Sequence, residues 1–276
     1  MTLRELYAAG VDRLDEAGID SPSADAFYLL EHVTGLGRQE YLLNKDRQIR
    51  QDVEVSFLKL IEERAGRVPY QYLISEAGFM GYKLYVDPSV MIPRLDTEVL
   101  AMEALSRIPE GKADVLDMCT GSGCIAVALK CERPKLRMTA CDISEEALAV
   151  ARVNAASNGA EITLLRGDLF EKVEGLFDMI VSNPPYVAEE EYRELAPEIA
   201  RHEPKLALLA GADGLDIYKR LIPEAAGHLR PGGCLIMEIG CNQAKKVSRL
   251  MKTAGYKKIE IIKDLAGLDR VICGRI

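Results

Sequence analysis

From Thr97 to the end of the chain, short apolar stretches alternate with stretches that favour helices. Strands that alternate with helices predict a mostly parallel, doubly wound α/β sheet of the Rossmann type, which binds its ligands at the carboxyl ends of the strands. The expected strands lie over 114–118, 137–141, 161–165, 177–181, 234–239, 257–263 and 270–275. The expected helices lie over 98–107, 123–132, 144–158, 213–230 and 242–254.

Several helix ends in this part of the chain have recognisable signals. Ser144 is a favourable N-cap, and Asn158-Gly159 favours the end of the same helix. Asp96 or Thr97 is expected to cap the helix over 98–107. Pro231-Gly232-Gly233 is expected to end the long helix near 213–230, because neither residue type continues a helix.

Residues 1–75 follow a different pattern, in which apolar side chains recur at helical spacing in three segments. The second segment begins at Asp25, after Ser21-Pro22, and the third ends near Gly66. Glycines and prolines then separate short β-prone runs over 82–86 and 90–92, which predicts a hairpin. We therefore expect a small helical domain over 1–75, a hairpin linker over 76–93 and a larger domain over 94–276.

The charge of the chain limits the partners that we expect. There are 35 Lys and Arg residues against 43 Asp and Glu, a net charge of −8 over 276 residues. An acidic chain is poorly suited to hold duplex phosphates over a broad surface, so duplex nucleic acid is not an expected partner. No apolar stretch approaches the ~20 residues of a membrane span, and residues 1–10 have no basic region typical of a signal peptide. No membrane association is expected.

The seven cysteines include no C-x-x-C pair. This favours small buried thiols in a reducing cytoplasm over a metal site or a disulfide framework. We therefore expect a cytoplasmic protein without a bound metal.

A glycine-rich turn follows the first strand of the larger domain. Asp117-Met-Cys-Thr-Gly121-Ser-Gly123 opens a helix, and glycines at such a turn let a ligand approach free backbone N–H groups. Asp142 follows Gly121 by 21 residues, at the end of the second strand, where a carboxylate can accept both hydroxyls of a ribose. Asp168 ends the third strand, where it can accept a hydrogen bond from an adenine amine. These residues predict a nucleoside cofactor but do not separate NAD from S-adenosylmethionine.

Asn183-Pro184-Pro185-Tyr186 follows the apolar strand over 177–182. Two prolines directly after a buried strand end it and form a stiff loop with few N–H donors. A side-chain amide oxygen and a backbone carbonyl can together accept both hydrogens of an –NH2 group, and a tyrosine ring can cover a flat group by stacking. A strand that merely ends at prolines would explain Pro184 and Pro185 but not Asn183 and Tyr186.

These motifs, in this order, resemble the class I S-adenosylmethionine-dependent methyltransferases, and N-P-P-Y is typical of those that methylate a planar amide or amino nitrogen. More specifically, the whole chain resembles the PrmC/HemK family of peptide chain release factor glutamine methyltransferases. The further segments that carry this resemblance are Ile92-Pro-Arg-Leu-Asp-Thr-Glu98, His202-Glu-Pro-Lys-Leu-Ala-Leu208, Gly211-Ala-Asp-Gly-Leu215, Glu238-Ile-Gly240 with Gln243, and Asp264-Leu-Ala-Gly-Leu-Asp-Arg270.

The resemblance implies methylation of the side-chain nitrogen of the glutamine in the Gly-Gly-Gln tripeptide of class I release factors, with S-adenosylmethionine as the cofactor. Asn183, Pro184 and Tyr186 would be the catalytic residues, and Pro185 would also contact the substrate. The helical domain would recognise the substrate protein. The implied cofactor-binding residues are Cys119, Thr120, Gly121, Ser122, Gly123, Asp142, Asp168, Leu169 and Asn183.

Two positions depart from the family pattern. Cys119 occupies a position that is usually glycine, and its Cβ restricts the loop backbone. Leu95 replaces the second proline of the I-P-R-P segment, which is expected to loosen that segment.

Three other functions fit parts of the sequence. A DNA or RNA base N-methyltransferase can share the sheet and N-P-P-Y, but it usually needs a basic surface. An NAD-dependent oxidoreductase would use the glycine turn and leave N-P-P-Y unexplained. A protein-binding module with a decayed cofactor site would not retain Gly121, Gly123, Asp142 and Asn183 together.

Overall fold

The computed structural model describes residues 1–276 and divides the chain into two compact units. The smaller unit contains Met1–Glu76 and Ala196–His202, and the larger contains Ala77–Leu195 and Glu203–Ile276. The helices are α1 Leu3–Glu16, α2 Pro22–Thr34, α3 Arg38–Asn44, α4 Gln51–Ala65, α5 Tyr70–Ile74, α6 Leu95–Arg107, α7 Cys124–Glu132, α8 Glu145–Ser157, α9 Glu189–Arg193, α10 Pro197–His202, α11 Asp216–His228 and α12 Ala244–Thr253. The strands are β1 Glu76–Phe79, β2 Tyr82–Tyr85, β3 Asp114–Met118, β4 Arg137–Asp142, β5 Ile162–Arg166, β6 Phe177–Ser182, β7 Leu229–Glu238, β8 Lys257–Lys263 and β9 Asp269–Arg275.

The smaller unit is helical, as predicted, but it has more helices than the three expected segments. α1, α2 and α4 correspond to those segments, and their buried side chains form one core that includes Leu6, Leu29 and Phe57. α3 and α5 are additional. α3 buries none of its seven residues, so it has no apolar stripe that a periodicity search could detect.

An ion-pair network joins α10 to the rest of the smaller unit. The buried Arg64 donates to the Asp25 carboxylate over 2.7 Å and to Glu198 over 3.1 Å, and Arg67 donates to Glu198 over 3.2 Å. Glu198 lies 134 residues after Arg64 in the sequence. The chain leaves the larger unit only for this short helix, α10, and then returns to the larger unit.

The larger unit contains a seven-stranded sheet in the order β5-β4-β3-β6-β7-β9-β8. β5, β4, β3, β6 and β7 are parallel, while β9 runs antiparallel between β7 and β8. Strand order reverses beside β3, and the carboxyl ends of β4, β3 and β6 are therefore neighbours. The predicted doubly wound α/β fold is confirmed, and this edge is where such a sheet binds ligands.

A two-stranded sheet forms in this segment, but it pairs β2 with β1 rather than with the predicted run over 90–92; apart from Glu76, both strands belong to the larger unit. Phe79 and Leu84 are buried in its core with Leu100 of α6. The β-prone run over 90–92 is not a strand.

Two predicted helix ends are wrong. α6 begins at Leu95 with Arg94 as its N-cap and without a side-chain cap, so Asp96 and Thr97 lie inside its first turn, and the Thr97 hydroxyl donates to Glu238 instead. Pro231-Gly232-Gly233 does not end α11, which ends at His228. These residues lie inside β7, where the pairing with β6 shifts between Phe177 and Met179, so an irregular strand accommodates them. No helix has the length and apolar character required to cross a membrane.

Candidate active site

The turn between β3 and α7 has the backbone that its glycines predicted. Gly121 and Gly123 have φ angles of +54° and +78°, in the left-handed region that glycine adopts without strain. A Cβ on Gly123 would lie 3.0 Å from the Cβ of Ala151, so this glycine also permits close packing against α8. At Gly121 a Cβ would meet no atom within 4 Å and would occupy open space beside the turn.

Asp142, at the end of β4, is tied to this turn. One carboxylate oxygen accepts the Gly121 N–H over 2.8 Å, and the other accepts the Ser144 N–H over 3.0 Å. A carboxylate has about four acceptor positions, so each oxygen keeps one for another donor. Burial raises the pKa of Asp142, while these two backbone N–H groups favour its ionised form.

Asp117, at the end of β3, accepts hydrogen bonds that hold the glycine turn in place. One of its carboxylate oxygens accepts the Thr120 hydroxyl over 2.6 Å and the Ala126 N–H over 3.2 Å. The other oxygen, Oδ1, is buried and has no hydrogen-bond partner. Burial raises the pKa of Asp117 to about 7.

Asn154 on α8 is a positioning residue of this region that the sequence did not reveal. Its buried amide donates to the Ser122 carbonyl over 2.8 Å and exchanges two hydrogen bonds with the Tyr85 backbone. The hairpin and the glycine turn are therefore held by one side chain.

Asp168 follows β5 and forms an ion pair with Arg220 over 2.9 Å. Only its Oδ2 takes part in this hydrogen bond. Leu169, next in the chain, is buried at a φ of +50°, an uncommon conformation for a side-chain-bearing residue. Both residues border the same cavity as the glycine turn.

This cavity has a volume of about 280 Å³ and lies at the carboxyl ends of β3, β4 and β6. Thr97, Ile143, Leu206 and Arg220 also line it. Gly123, Pro184 and Tyr186 do not line it. The predicted site residues that do are Cys119, Thr120, Gly121, Ser122, Asp142, Asp168, Leu169, Asn183 and Pro185.

The chemistry of this cavity fits S-adenosylmethionine. The Asp142 carboxylate offers two unused acceptor positions, which suit the two hydroxyls of a ribose. The open space at Gly121 allows a ligand to approach the turn backbone. Ile143, Leu169 and Ile217 provide apolar walls suited to a planar adenine.

A second group of polar side chains at the cavity is centred on Asn183. Its amide nitrogen donates to the Thr97 hydroxyl oxygen over 3.1 Å, and the Thr97 hydroxyl donates to the Glu238 carboxylate over 2.7 Å. The other Glu238 oxygen accepts the Tyr186 hydroxyl over 3.1 Å. Glu238 is 2% exposed.

Thr97 and Glu238 are residues of this site to which the sequence assigned no role. Both lie in motifs that resemble the family pattern, yet nothing local to either motif shows that they meet across 141 residues. The structure also gives Tyr186 a second role, because its hydroxyl bonds to Glu238 and its ring packs partly buried against the core. Burial beside Glu238 raises the pKa of Tyr186.

Cys119 has a φ of +61°, so the cysteine that replaces the usual glycine keeps the glycine-like backbone. Leu95 is 76% exposed at the start of α6, and the helix begins there without the second proline. Neither change removes a polar group of the site.

Comparison with known proteins agrees with this geometry. Residues 95–206 match the methyltransferase small domain, and residues 5–74 match the PrmC N-terminal domain. A release factor glutamine methyltransferase of Deinococcus radiodurans is 42% identical over 278 residues, which span 100% of this chain and 99% of the relative. One of Geobacter sulfurreducens is 40% identical and covers 100% of this chain and 97% of its own length.

Solved structures with the same fold are more distant. A methyltransferase of Pyrococcus furiosus superposes with a TM-score of 0.56 at 22% identity and covers 78% of this chain and 98% of its own. A 16S rRNA methyltransferase of Thermus thermophilus, solved with AdoMet and guanosine, gives a TM-score of 0.53 at 17% identity, covering 72% of this chain and 49% of its own. These two show the fold of class I methyltransferases. From the full-length relatives and both domain matches, we conclude that the chain belongs to the release factor glutamine methyltransferase family.

Proposed function

We propose that this protein transfers a methyl group from S-adenosylmethionine to the side-chain nitrogen of a glutamine in a class I release factor. The glutamine is that of the Gly-Gly-Gln tripeptide, as the family resemblance implies. The observation that supports this most directly is the hydrogen bond from the Asn183 amide nitrogen to Thr97. It leaves the Asn183 oxygen available to accept a hydrogen bond from a substrate –NH2 in the cavity.

The acceptor side would act by orientation. A carboxamide nitrogen is a poor nucleophile, because its lone pair is delocalised into the carbonyl. The Asn183 oxygen and the Pro184 carbonyl would each accept one hydrogen of the substrate –NH2, which turns the nitrogen toward the methyl donor and raises its electron density. Holding two reactants in such a geometry can contribute roughly 7–11 kcal/mol.

Tyr186 would pack against the planar acceptor and help to exclude water, with its hydroxyl held by Glu238, and Pro185 would contact the acceptor from the cavity wall. No strong general base is required, because an N-alkylated, protonated amide is very acidic and loses its proton readily.

The cofactor would lie along the glycine turn. When bound, S-adenosylmethionine supplies an electrophilic methyl group. Residues 119–123 would hold its methionine end, Asp142 its ribose, and Asp168 with Leu169 its adenine. The Asn183 side chain also borders this part of the cavity and would contact the cofactor as well as the substrate.

We further propose that the smaller, helical unit recognises the release factor. Residues 1–75 contain nine basic and thirteen acidic residues, so this part of the chain would meet a basic surface of its partner. The substrate would be met in the cytoplasm, where translation ends.

A methyl-transfer assay tests the proposed function. Purified release factor, its variant with Ala in place of the tripeptide glutamine, and duplex and single-stranded nucleic acid are each incubated with the protein and S-adenosylmethionine labelled in its methyl group. We expect label only in the unaltered release factor. Label in the Ala variant would contradict the choice of glutamine, and label in nucleic acid would favour the base methyltransferase instead.

A further inference from the structure

We infer that Glu238 and Thr97 are positioning residues that fix which end of the Asn183 amide faces the acceptor. This inference rests on the proposed function, since it explains how the acceptor side of that reaction is oriented. In this proposal, neither residue contacts the reacting atoms directly. Their effect would pass through two hydrogen bonds, one that Thr97 donates to Glu238 and one that Asn183 donates to Thr97.

Glu238 determines which groups donate and which accept in these hydrogen bonds. Both of its carboxylate oxygens accept a hydroxyl, since Thr97 donates to one and Tyr186 to the other. The Glu238 backbone is fixed as well, because its carbonyl accepts the Tyr218 hydroxyl over 2.7 Å. Burial raises the pKa of Glu238, whereas the two hydroxyls and the charge of Arg270 favour its ionised form.

The direction of the Thr97 hydrogen bond then determines the orientation of the Asn183 amide. Because the hydroxyl hydrogen of Thr97 is directed at Glu238, its oxygen is left to accept, and the group that approaches it from Asn183 must be the –NH2. The Asn183 oxygen is thereby placed at the opposite end of the amide. If the amide flipped, its –NH2 would face the –NH2 of a substrate glutamine, and two donors would oppose each other.

Substitutions at Thr97 separate this role from packing. Thr97→Val keeps the shape of the side chain and removes the hydroxyl, whereas Thr97→Ser keeps the hydroxyl and removes the methyl. We expect Thr97→Val and Glu238→Gln to lower kcat by about 10–100-fold, with the KM for the release factor and the Kd for S-adenosylmethionine within about twofold. A loss of this size corresponds to misorienting the one hydrogen bond that Asn183 would accept from the substrate amide.

Thr97→Ser should retain kcat within about threefold. The matched control is Tyr256→Phe, which removes another buried hydroxyl, one that donates to the Ile222 carbonyl away from the cavity. We expect it to leave kcat unchanged. Equal losses in Thr97→Val and Thr97→Ser, or a loss that follows a weaker cofactor Kd, would overturn the inference.

A second measurement does not depend on the reaction. The side-chain –NH2 of Asn183 can be assigned in a ¹⁵N spectrum by its absence in Asn183→Asp. Its hydrogens should exchange with solvent at least about tenfold faster in Thr97→Val than in the wild type, and at nearly the wild-type rate in Thr97→Ser. Unchanged exchange in Thr97→Val would refute the inference. Absence of methyl transfer by the wild type would instead refute the proposed function, and the exchange rates would still decide the positioning role.

Discussion

The two sides of the cavity are built differently. On the proposed cofactor side, around the glycine turn, several contacts are local: Thr120 bonds to Asp117 three residues away, and Asp142 holds a backbone N–H 21 residues away. The longest side-chain pair there, Asp168 with Arg220, spans 52 residues. On the proposed acceptor side, around Asn183, side chains bond to each other across longer stretches of chain. Asn183 and Thr97 are 86 residues apart, and Thr97 and Glu238 are 141. A site made of backbone on one turn can be found in a sequence, whereas a site made of distant side chains needs the folded sheet.

Each side also has one deeply buried carboxylate, and the two differ in how they are satisfied. Both oxygens of Glu238 accept a hydroxyl, whereas Oδ1 of Asp117 has no partner. A buried group without a partner keeps its full desolvation cost. The difference predicts that Asp117, on the cofactor side, destabilises the protein at neutral pH.

The largest expected effect on stability is therefore at Asp117. Its pKa in the folded protein is about 7, above its ordinary value of 3.8, so folding favours the protonated form. The stabilisation is complete below the ordinary pKa and is lost as the pH rises through about 7. Asp117→Asn has no such titration. Between pH 4 and pH 8, the free energy of unfolding of the variant should rise relative to the wild type by up to about 4 kcal/mol.

Denaturant unfolding of both proteins at pH 4, 6 and 8 measures this difference, because the other carboxylates titrate in both and cancel. A constant difference across the three pH values would mean that folding does not raise the pKa of Asp117. The two sides of the cavity would then not differ in this respect.

A smaller effect is expected at Cys119, on the same side. A non-glycine residue in the left-handed region costs about 1–2 kcal/mol, which a change to glycine removes. Glycine also loses more backbone freedom on folding, which costs about 0.5–1 kcal/mol and offsets part of this stabilisation. Cys119→Gly should therefore raise the free energy of unfolding by about 0.5–1 kcal/mol, which corresponds to roughly 1–4 °C in Tm. Cys119→Ala keeps the strained backbone and serves as the control. If it is stabilised as much as Cys119→Gly, backbone strain is not the cause.

Much of the fold could be predicted from the sequence. The strands of the larger unit are found in the predicted order, with the predicted helices between them. Ser144 caps α8, as predicted, by accepting the Ala147 N–H. These features depend on periodicity and on caps, which are local.

The failures have non-local causes. Thr97 looks like a cap, but its hydroxyl is needed by Glu238, a strand residue far along the chain. α10 belongs to the smaller unit through Glu198, whose partners Arg64 and Arg67 precede it by more than 130 residues. On the acceptor side, the sequence identified Asn183 but not the two residues that hold it, because each of their contacts joins separate elements of the sheet.

The central claim is that one side of the cavity holds the cofactor and the other orients the acceptor. Asn183→Ala and Asp142→Ala test it as a matched pair, with the Kd for S-adenosylmethionine by calorimetry and kcat with a release factor at saturating cofactor. Asn183→Ala should keep its Kd within about threefold and lose methyl transfer by about 10³-fold, in line with the loss of an oriented near-attack geometry. Asp142→Ala should weaken the Kd by about 100-fold, since two charge-assisted hydrogen bonds are lost. An Asn183→Ala protein whose Kd for S-adenosylmethionine is at least tenfold weaker, but whose kcat at saturating cofactor stays near that of the wild type, would contradict the claim.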